Sequence, residues 1–160
     1  MAMTDVSSVH HWLDEYSRDH QNPTNQAIHK VCVPIIVVSL IGLLWSIPVP
    51  EEFRAISPAL NWGTTFLLAA MVYYLILSLP LALGMAPLVL AVVVVVNWLD
   101  NLAVPLWVSS AVLFVLAWIG QFYGHMLEGR RPAFFRDLQF LMIGPLWILA
   151  GVYRRIGLAY

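Results

Sequence analysis

A long stretch without ionised side chains constrains the fold of this chain most strongly. Residues 55–99 contain no Asp, Glu, Lys or Arg, which is enough length for two membrane-spanning helices of about 20 residues each. Residues 31–50 and 101–127 also lack these residue types. With 61% hydrophobic and 11% charged residues and a mean hydropathy of +0.79, the chain lies outside the range of soluble domains. It is predicted to be an integral membrane protein.

The apolar segments predict an all-α membrane-embedded protein with a single domain, residues 1–160. Four full transmembrane helices are expected at residues 31–47, 60–79, 88–99 and 105–124. Pro80, Gly84 and Pro87 are expected to supply the turn before the third of these helices. The last apolar segment, residues 138–153, is short for a crossing and contains Gly144-Pro145. It is expected to form a broken or re-entrant helical segment.

The amino-terminal region predicts a short interfacial helix at residues 8–19. Its apolar stripe contains Trp12 and Tyr16, which are suited to the headgroup level of a membrane. Asn22-Pro23 should end this helix, because the residue before a proline is pushed out of the helical conformation. Thr24 or Asn25 is expected to cap the next helix, and Pro34 is expected to kink it or to delay its start.

Charge limits the partners and sets an orientation. A formal net charge of -1 argues against a nucleic-acid partner, for which a basic face is expected. Four spans place Arg18, Lys30 and the basic residues of the 128–137 loop on one side, with Arg54 opposite. Since short cytoplasmic loops are rich in Lys and Arg, that side is predicted to be cytoplasmic. Nothing in the sequence indicates the oligomeric state.

Two polar segments, residues 19–29 and 121–133, hold three of the five histidines. On one continuous helix His20 and His29 would lie on opposite faces at about 100° per residue. The Asn22-Pro23 break allows the chain to fold back and bring them together. An even number of spans before His125 places that residue on the same membrane face. The three histidines therefore form a candidate metal site.

Polar side chains lie one helical turn from these histidines. Asn25 precedes His29 by four residues, Gln121 precedes His125 by four, and Glu128 follows His125 by three. Metal-bound imidazoles need an acceptor for the second ring nitrogen, and amide or carboxylate side chains are expected to provide it. Three neutral imidazoles with one carboxylate suit Fe(II), Zn(II) or Mn(II), among which the ligand types do not select. Cys32, inside the first span, makes a thiolate site improbable.

Other readings of the histidines compete with a metal site. A single histidine near a helix end often caps the helix or contacts lipid headgroups, and His10 and His11 are assigned to that role. A di-iron desaturase needs about eight histidines, more than the five present. A haem electron carrier needs axial ligands facing each other across the bundle. A lipid-binding or scaffold membrane protein without enzymatic activity, or a metalloprotein of another activity, remains the alternative.

Both polar segments resemble the signatures of a known family. DHQNPTNQAIHKVCVP and WIGQFYGHMLEGRRPAFF are similar to the two motifs of the 2-hydroxy fatty acid dioxygenases, small membrane proteins of fatty acid α-oxidation. The resemblance covers nearly the whole chain. It implies an Fe(II)-dependent dioxygenase that uses O2 to shorten a 2-hydroxy fatty acid by one carbon.

The resemblance also implies roles for individual residues. The metal ligands would be His20, His29 and His125, which are also the expected catalytic residues, with Asn25 and Gln121 around the metal. Glu128 is an expected catalytic residue whose role as ligand, acceptor for a ligand, or base stays open.

Substrate contacts and location complete the expectations. Arg130 or Arg131 is expected to hold the substrate carboxylate by a charge-assisted pair, and Tyr16 is expected beside the substrate. The alkyl tail would lie between the spans. Because the chain lacks a retrieval tail for the endoplasmic reticulum, a bacterial inner membrane is expected, with the histidines on the cytoplasmic side.

Overall fold

A computed structural model of the chain describes residues 6–129 and 140–160. Within these ranges the regular structure consists of seven α-helices. In chain order they are α1 (Val6–Arg18), α2 (Pro23–Trp45), α3 (Glu51–Ile56), α4 (Trp62–Leu77), α5 (Leu79–Asp100), α6 (Leu106–Leu127) and α7 (Ile143–Ile156).

Three of these helices are long and apolar enough to cross a membrane. They are α2, α5 and α6, which contain 23, 22 and 22 residues. Helix α4 is apolar but has only 16 residues, so it extends about 24 Å against a hydrocarbon core of about 30 Å. The predicted all-helical fold is therefore confirmed, whereas the second predicted span, residues 60–79, is the shorter apolar helix α4.

The turn between α4 and α5 is tighter than the prolines predict. Only Ser78 separates the two helices, and its hydroxyl accepts a hydrogen bond from the Leu81 backbone N–H at 3.4 Å. Pro80 lies in the first turn of α5, where its missing N–H costs no helical hydrogen bond. Pro87 lies inside the helix. The predicted turn across Pro80, Gly84 and Pro87 was wrong, because proline is tolerated in apolar helices that pack against neighbours.

The carboxy-terminal helix is continuous where a break was expected. Gly144 and Pro145 lie in the first turn of α7, and the helix runs from them to Ile156. The break expected at Gly144-Pro145 is thus the start of the helix. The first two residues of the predicted segment, 138 and 139, lie outside the described residues. Between the first two predicted spans, residues 51–56 form the short helix α3.

The amino-terminal helix and the break after it are confirmed. Helix α1 buries Val9, Leu13 and Tyr16, and α2 begins at Pro23. Its cap is Asn22, whose side-chain oxygen accepts hydrogen bonds from the two N–H groups that follow Pro23. The prediction of Thr24 or Asn25 as the cap was wrong. Helix α2 passes through Pro34, so this proline does not delay its start.

Helices α2 and α6 pack through small residues where α2 begins and α6 ends. Gly120 and Gly124 lie four residues apart and therefore on one face of α6. A Cβ at Gly124 would overlap the side-chain oxygen of Asn25, and a Cβ at Gly120 would lie 2.7 Å from Cys32 Sγ. Such stripes of small residues let apolar helices approach closely. This approach brings the first turns of α2 beside the last turns of α6.

Replacing Gly124 by alanine tests this close approach. The methyl group must displace Asn25, at a cost of about 1–3 kcal/mol, against a gain of up to about 1 kcal/mol in helix propensity. We expect Gly124→Ala to lower the thermal unfolding temperature in detergent micelles. Gly151→Ala is the matched control, since among the described residues its Cβ would meet only Arg154 Nη2 at 4.0 Å, and it should leave that temperature unchanged or raise it. Equal unfolding temperatures for the two variants would contradict the packing described.

Candidate metal centre

Three histidine rings meet where α2 begins and α6 ends. His29 lies in α2, His125 in the last turn of α6, and His20 in the turn between α1 and α2. Their exposed fractions are 4% for His20, 2% for His29 and 7% for His125. The centroid of the His20 ring is 4.2 Å from that of His29 and 5.6 Å from that of His125. The centroids of the His29 and His125 rings are 5.1 Å apart. The structure thus brings together the three histidines that the sequence predicted to share a membrane face.

The spacing of the ring nitrogens fits a single metal ion. One nitrogen from each ring can be chosen so that all three lie within 4.8 Å of one another. Imidazole nitrogens bound to one ion at about 2.1 Å lie at most about 4.2 Å apart. The present separation is therefore close to the one that a shared ion requires.

Two of the rings are oriented by main-chain carbonyl groups. His20 Nδ1 lies 2.6 Å from the carbonyl oxygen of Tyr16, and His29 Nδ1 lies 3.0 Å from that of Asn25. A carbonyl oxygen only accepts, so each Nδ1 carries the proton and each Nε2 keeps its lone pair for a metal. The expectation that the Asn25 side chain fills this role for His29 was wrong, since its backbone oxygen does so.

Glu128 accepts hydrogen bonds from the segment that follows His20. Its Oε1 accepts a hydrogen bond from the Asn22 backbone N–H at 2.7 Å and another from Asn25 Nδ2 at 2.9 Å. Glu128 is the residue that caps α6. One carboxylate oxygen therefore joins the end of α6 to the start of α2, and the catalytic role expected of Glu128 stays a prediction.

The pKa of the Glu128 carboxyl is held below its ordinary value. Desolvation by burial raises this pKa, but the hydrogen bonds from the Asn25 side chain and the Asn22 backbone, together with the nearby His20 ring, lower it by more. Hydrogen bonds to the charged form of a carboxyl have this effect because they are lost on protonation. The turn is therefore built around an ionised carboxylate.

A small cavity of about 30 Å³ adjoins the histidines. That volume holds one or two water-sized groups. Gln121 lines the cavity and is buried, and its side-chain oxygen has no hydrogen-bond partner among the residues the structure describes. Tyr16 also lines it, with its ring stacked on His20 at 4.2 Å and an interplanar angle of 8°. Gln121 and Tyr16 thus lie beside the candidate metal position, and the functions expected of them stay predictions.

Aromatic residues that the sequence did not mark also surround the site. The Trp147 ring lies 5.9 Å from the His20 ring, measured between ring centroids, and donates its indole N–H to Ser17 Oγ at 2.9 Å. Trp118 and Asp19 line the cavity. Their positions depend on how α1, α6 and α7 pack, which no local pattern reveals. Arg130 and Arg131, expected at the substrate, lie outside the described residues.

Comparison with known proteins places the chain beside one enzyme family. The family model described as "2-hydroxy-palmitic acid dioxygenase Mpo1-like" matches residues 6–156. The chain is 30% identical over 147 residues to the 2-hydroxy-palmitic acid dioxygenase MPO1 of Saccharomyces cerevisiae, which covers 91% of this chain and 79% of the yeast protein. No solved structure matches the chain significantly.

Removing the Glu128 carboxylate should loosen the turn that carries His20. Glu128→Ala removes two hydrogen bonds to a charged acceptor, for which we expect a loss of about 2 kcal/mol of stability at pH 7. Because the folded pKa is lowered, this contribution is fully present above the ordinary value of 4.5 and disappears as pH falls through the folded pKa. The measurement is thermal unfolding in detergent from pH 7 to pH 3.

Glu52→Ala is the matched control for this comparison. Glu52 is an exposed glutamate in α3, and its replacement should change stability by less than about 0.5 kcal/mol. The difference between wild type and Glu128→Ala should narrow towards pH 3. A difference that stays constant or widens in acid would contradict the assigned hydrogen bonds.

Proposed function

Because the chain belongs to the Mpo1-like 2-hydroxy-palmitic acid dioxygenase family, we propose that it shortens 2-hydroxy fatty acids by one carbon with O2 and Fe(II). In this proposal His20, His29 and His125 hold the iron. The supporting observation is the buried group of three imidazoles, two of which place Nδ1 on a carbonyl oxygen, the tautomer in which Nε2 carries the lone pair that a metal needs. Three protein ligands leave coordination positions open for small molecules.

The proposed reaction needs a metal that binds oxygen ligands and takes part in redox chemistry. The bond between carbons 1 and 2 breaks, carbon 1 leaves as CO2, and carbon 2 is oxidised from an alcohol to a carboxylic acid. O2 is reduced by the four electrons released, and one water molecule completes the balance. Fe(II) held by the histidines would supply Lewis-acid polarisation of the carboxylate and 2-hydroxyl oxygens and the redox capacity that O2 requires. The protein contributes the binding, orientation and shielding of these groups.

The residues around the histidines suit those tasks. Hydrogen bonds from Nδ1 to main-chain carbonyl oxygens hold the imidazoles of His20 and His29 in fixed orientations. The Tyr16 ring also stacks on His20. Apolar residues such as Val33 and Ile36 line the cavity beside them, which limits access of bulk water. Gln121 offers an amide group to a polar ligand in the same cavity.

Other roles in the proposal rest on the sequence and the family. Arg130 or Arg131 is proposed to bind the substrate carboxylate. Glu128 is proposed to act as a positioning residue through Asn22 and Asn25, in agreement with the hydrogen bonds of its Oε1. We also propose that the chain forms one membrane-embedded domain in a bacterial inner membrane, with the histidines on the cytoplasmic side.

Substitution of single histidines tests the proposed metal site. His20→Ala, His29→Ala and His125→Ala should each lose iron from anaerobically purified protein and lose oxygen consumption with a 2-hydroxy fatty acid. Wild type should convert the acid to a product one carbon shorter, identified by mass spectrometry. His11→Ala is the matched control, because His11 is exposed on α1 and faces Glu15, and it should keep both iron and turnover.

Two results would contradict the proposal. Full iron content and activity in any one of the three variants would remove that residue from the ligand set. Wild-type protein that purifies without metal, takes up no Fe(II) and tolerates all three substitutions would instead favour a lipid-binding or scaffold protein.

A further inference from the structure

A second, larger cavity lies between the apolar helices, outside the histidine site. It has a volume of about 310 Å³, and its walls are almost entirely apolar. Helices α2, α4 and α5 form most of the wall, and residues at the start of α7 complete it. We call it the helix groove.

The helix groove begins where the histidine cavity ends. Leu141 lines both spaces. On α2, Val33 lines the histidine cavity and the next residue, Pro34, lines the helix groove. At the start of α7, Gly144 lines the histidine cavity and the next residue, Pro145, lines the helix groove. The two spaces are therefore neighbours on the same helices, and the Leu141 side chain stands between them.

Chain direction gives the helix groove two distinct ends. Tyr74 of α4 donates its hydroxyl to the carbonyl oxygen of Met142 at 2.9 Å, which fixes the end beside the histidine cavity. Leu67 precedes Tyr74 by about two turns of α4, so it lies at the opposite, far end of the helix groove. Ile41 of α2 and Val96 of α5 pack in one cluster with Leu67. Val92, which precedes Val96 by one turn, lines the groove near this far end.

The length of the helix groove fits an alkyl chain. Its lining on α2 extends from Pro34 to Ile41, and its lining on α5 from Met85 to Val95. At 1.5 Å per residue these segments span about 10 and about 15 Å. An extended chain advances about 1.2 Å per bond, so the groove accommodates a tail of roughly eight to twelve carbons.

We propose that the helix groove binds the alkyl tail of the 2-hydroxy fatty acid whose carboxyl end reaches the histidine cavity, with the methyl end beside Val92. This inference rests on the proposed function, because it takes the substrate class from there. Its own support is the shared wall at Leu141, the apolar lining and the matching length. Groove depth then determines which chain lengths bind well, with each buried methylene improving the dissociation constant about fourfold.

Shortening the helix groove at its far end tests the inference. Val92→Phe fills the end that the ten-carbon tail of 2-hydroxydodecanoic acid reaches, whereas the six-carbon tail of 2-hydroxyoctanoic acid stops before it. We would add 2-hydroxyoctanoic and 2-hydroxydodecanoic acid together to anaerobic, detergent-purified protein and measure the bound ratio by native mass spectrometry. The ratio of long to short acid should fall at least tenfold in Val92→Phe.

Neighbouring substitutions control for damage to the helix. Val94 is 60% exposed and does not line the helix groove, so Val94→Phe should keep the wild-type ratio. Val95 lines the groove and is more exposed than Val92, so Val95→Phe provides a milder second variant. A fall in the ratio in Val92→Phe or Val95→Phe with none in Val94→Phe supports the groove assignment.

The outcomes separate this inference from the proposed function. If both acids bind and the Val92 and Val95 variants keep the wild-type ratio, the tail lies elsewhere, and the groove assignment fails while the proposed function stands. A phospholipid that copurifies and is not displaced by either acid would show that the helix groove is a lipid site, and would overturn the inference. If wild-type protein binds neither acid, both fail.

Discussion

The hydrogen bonds that Asn22 and Asn25 donate to Glu128 Oε1 are the contacts on which the site depends. They join residues more than a hundred positions apart and hold the turn after α1 against the end of α6. Without this junction the turn that carries His20 would lose two hydrogen bonds that hold it against the end of α6. Gly124 makes the junction possible, because a side chain there would occupy the place of the Asn25 oxygen.

The site joins polar chemistry to an apolar fold at one end of the bundle. Buried polar groups are costly unless they are hydrogen-bonded, and here main-chain carbonyls of helical residues satisfy one nitrogen of His20 and one of His29. In this tautomer the lone pair of each ring is on Nε2, the atom that would bind a metal. A few residues further along α2 the lining becomes almost entirely apolar. A fatty acid has the same division into a polar head and an apolar tail.

The sequence predicted the features that local chemistry determines. Runs without charge located α2, α5 and α6, and the Asn22-Pro23 break with the span count brought His20, His29 and His125 together. It failed where the outcome depends on distant contacts. Asn22, Thr24 and Asn25 are all capable caps. Asn22 takes this role with Pro23 in the first helical position, whereas the distant Glu128 binds the Asn25 side chain. Every residue carries a carbonyl group, so no pattern marks those of Tyr16 and Asn25 as the acceptors for the histidines.

We propose that His20, His29 and His125 together bind one iron ion. The most direct measurement is X-ray absorption spectroscopy at the iron edge of the Fe(II)-loaded protein. Three bound imidazoles should give outer-shell scattering from about three imidazole rings, with iron–nitrogen distances of about 2.1 Å. A coordination shell made of oxygen ligands with no imidazole scattering, or protein that retains no iron after removal of free metal, would contradict it.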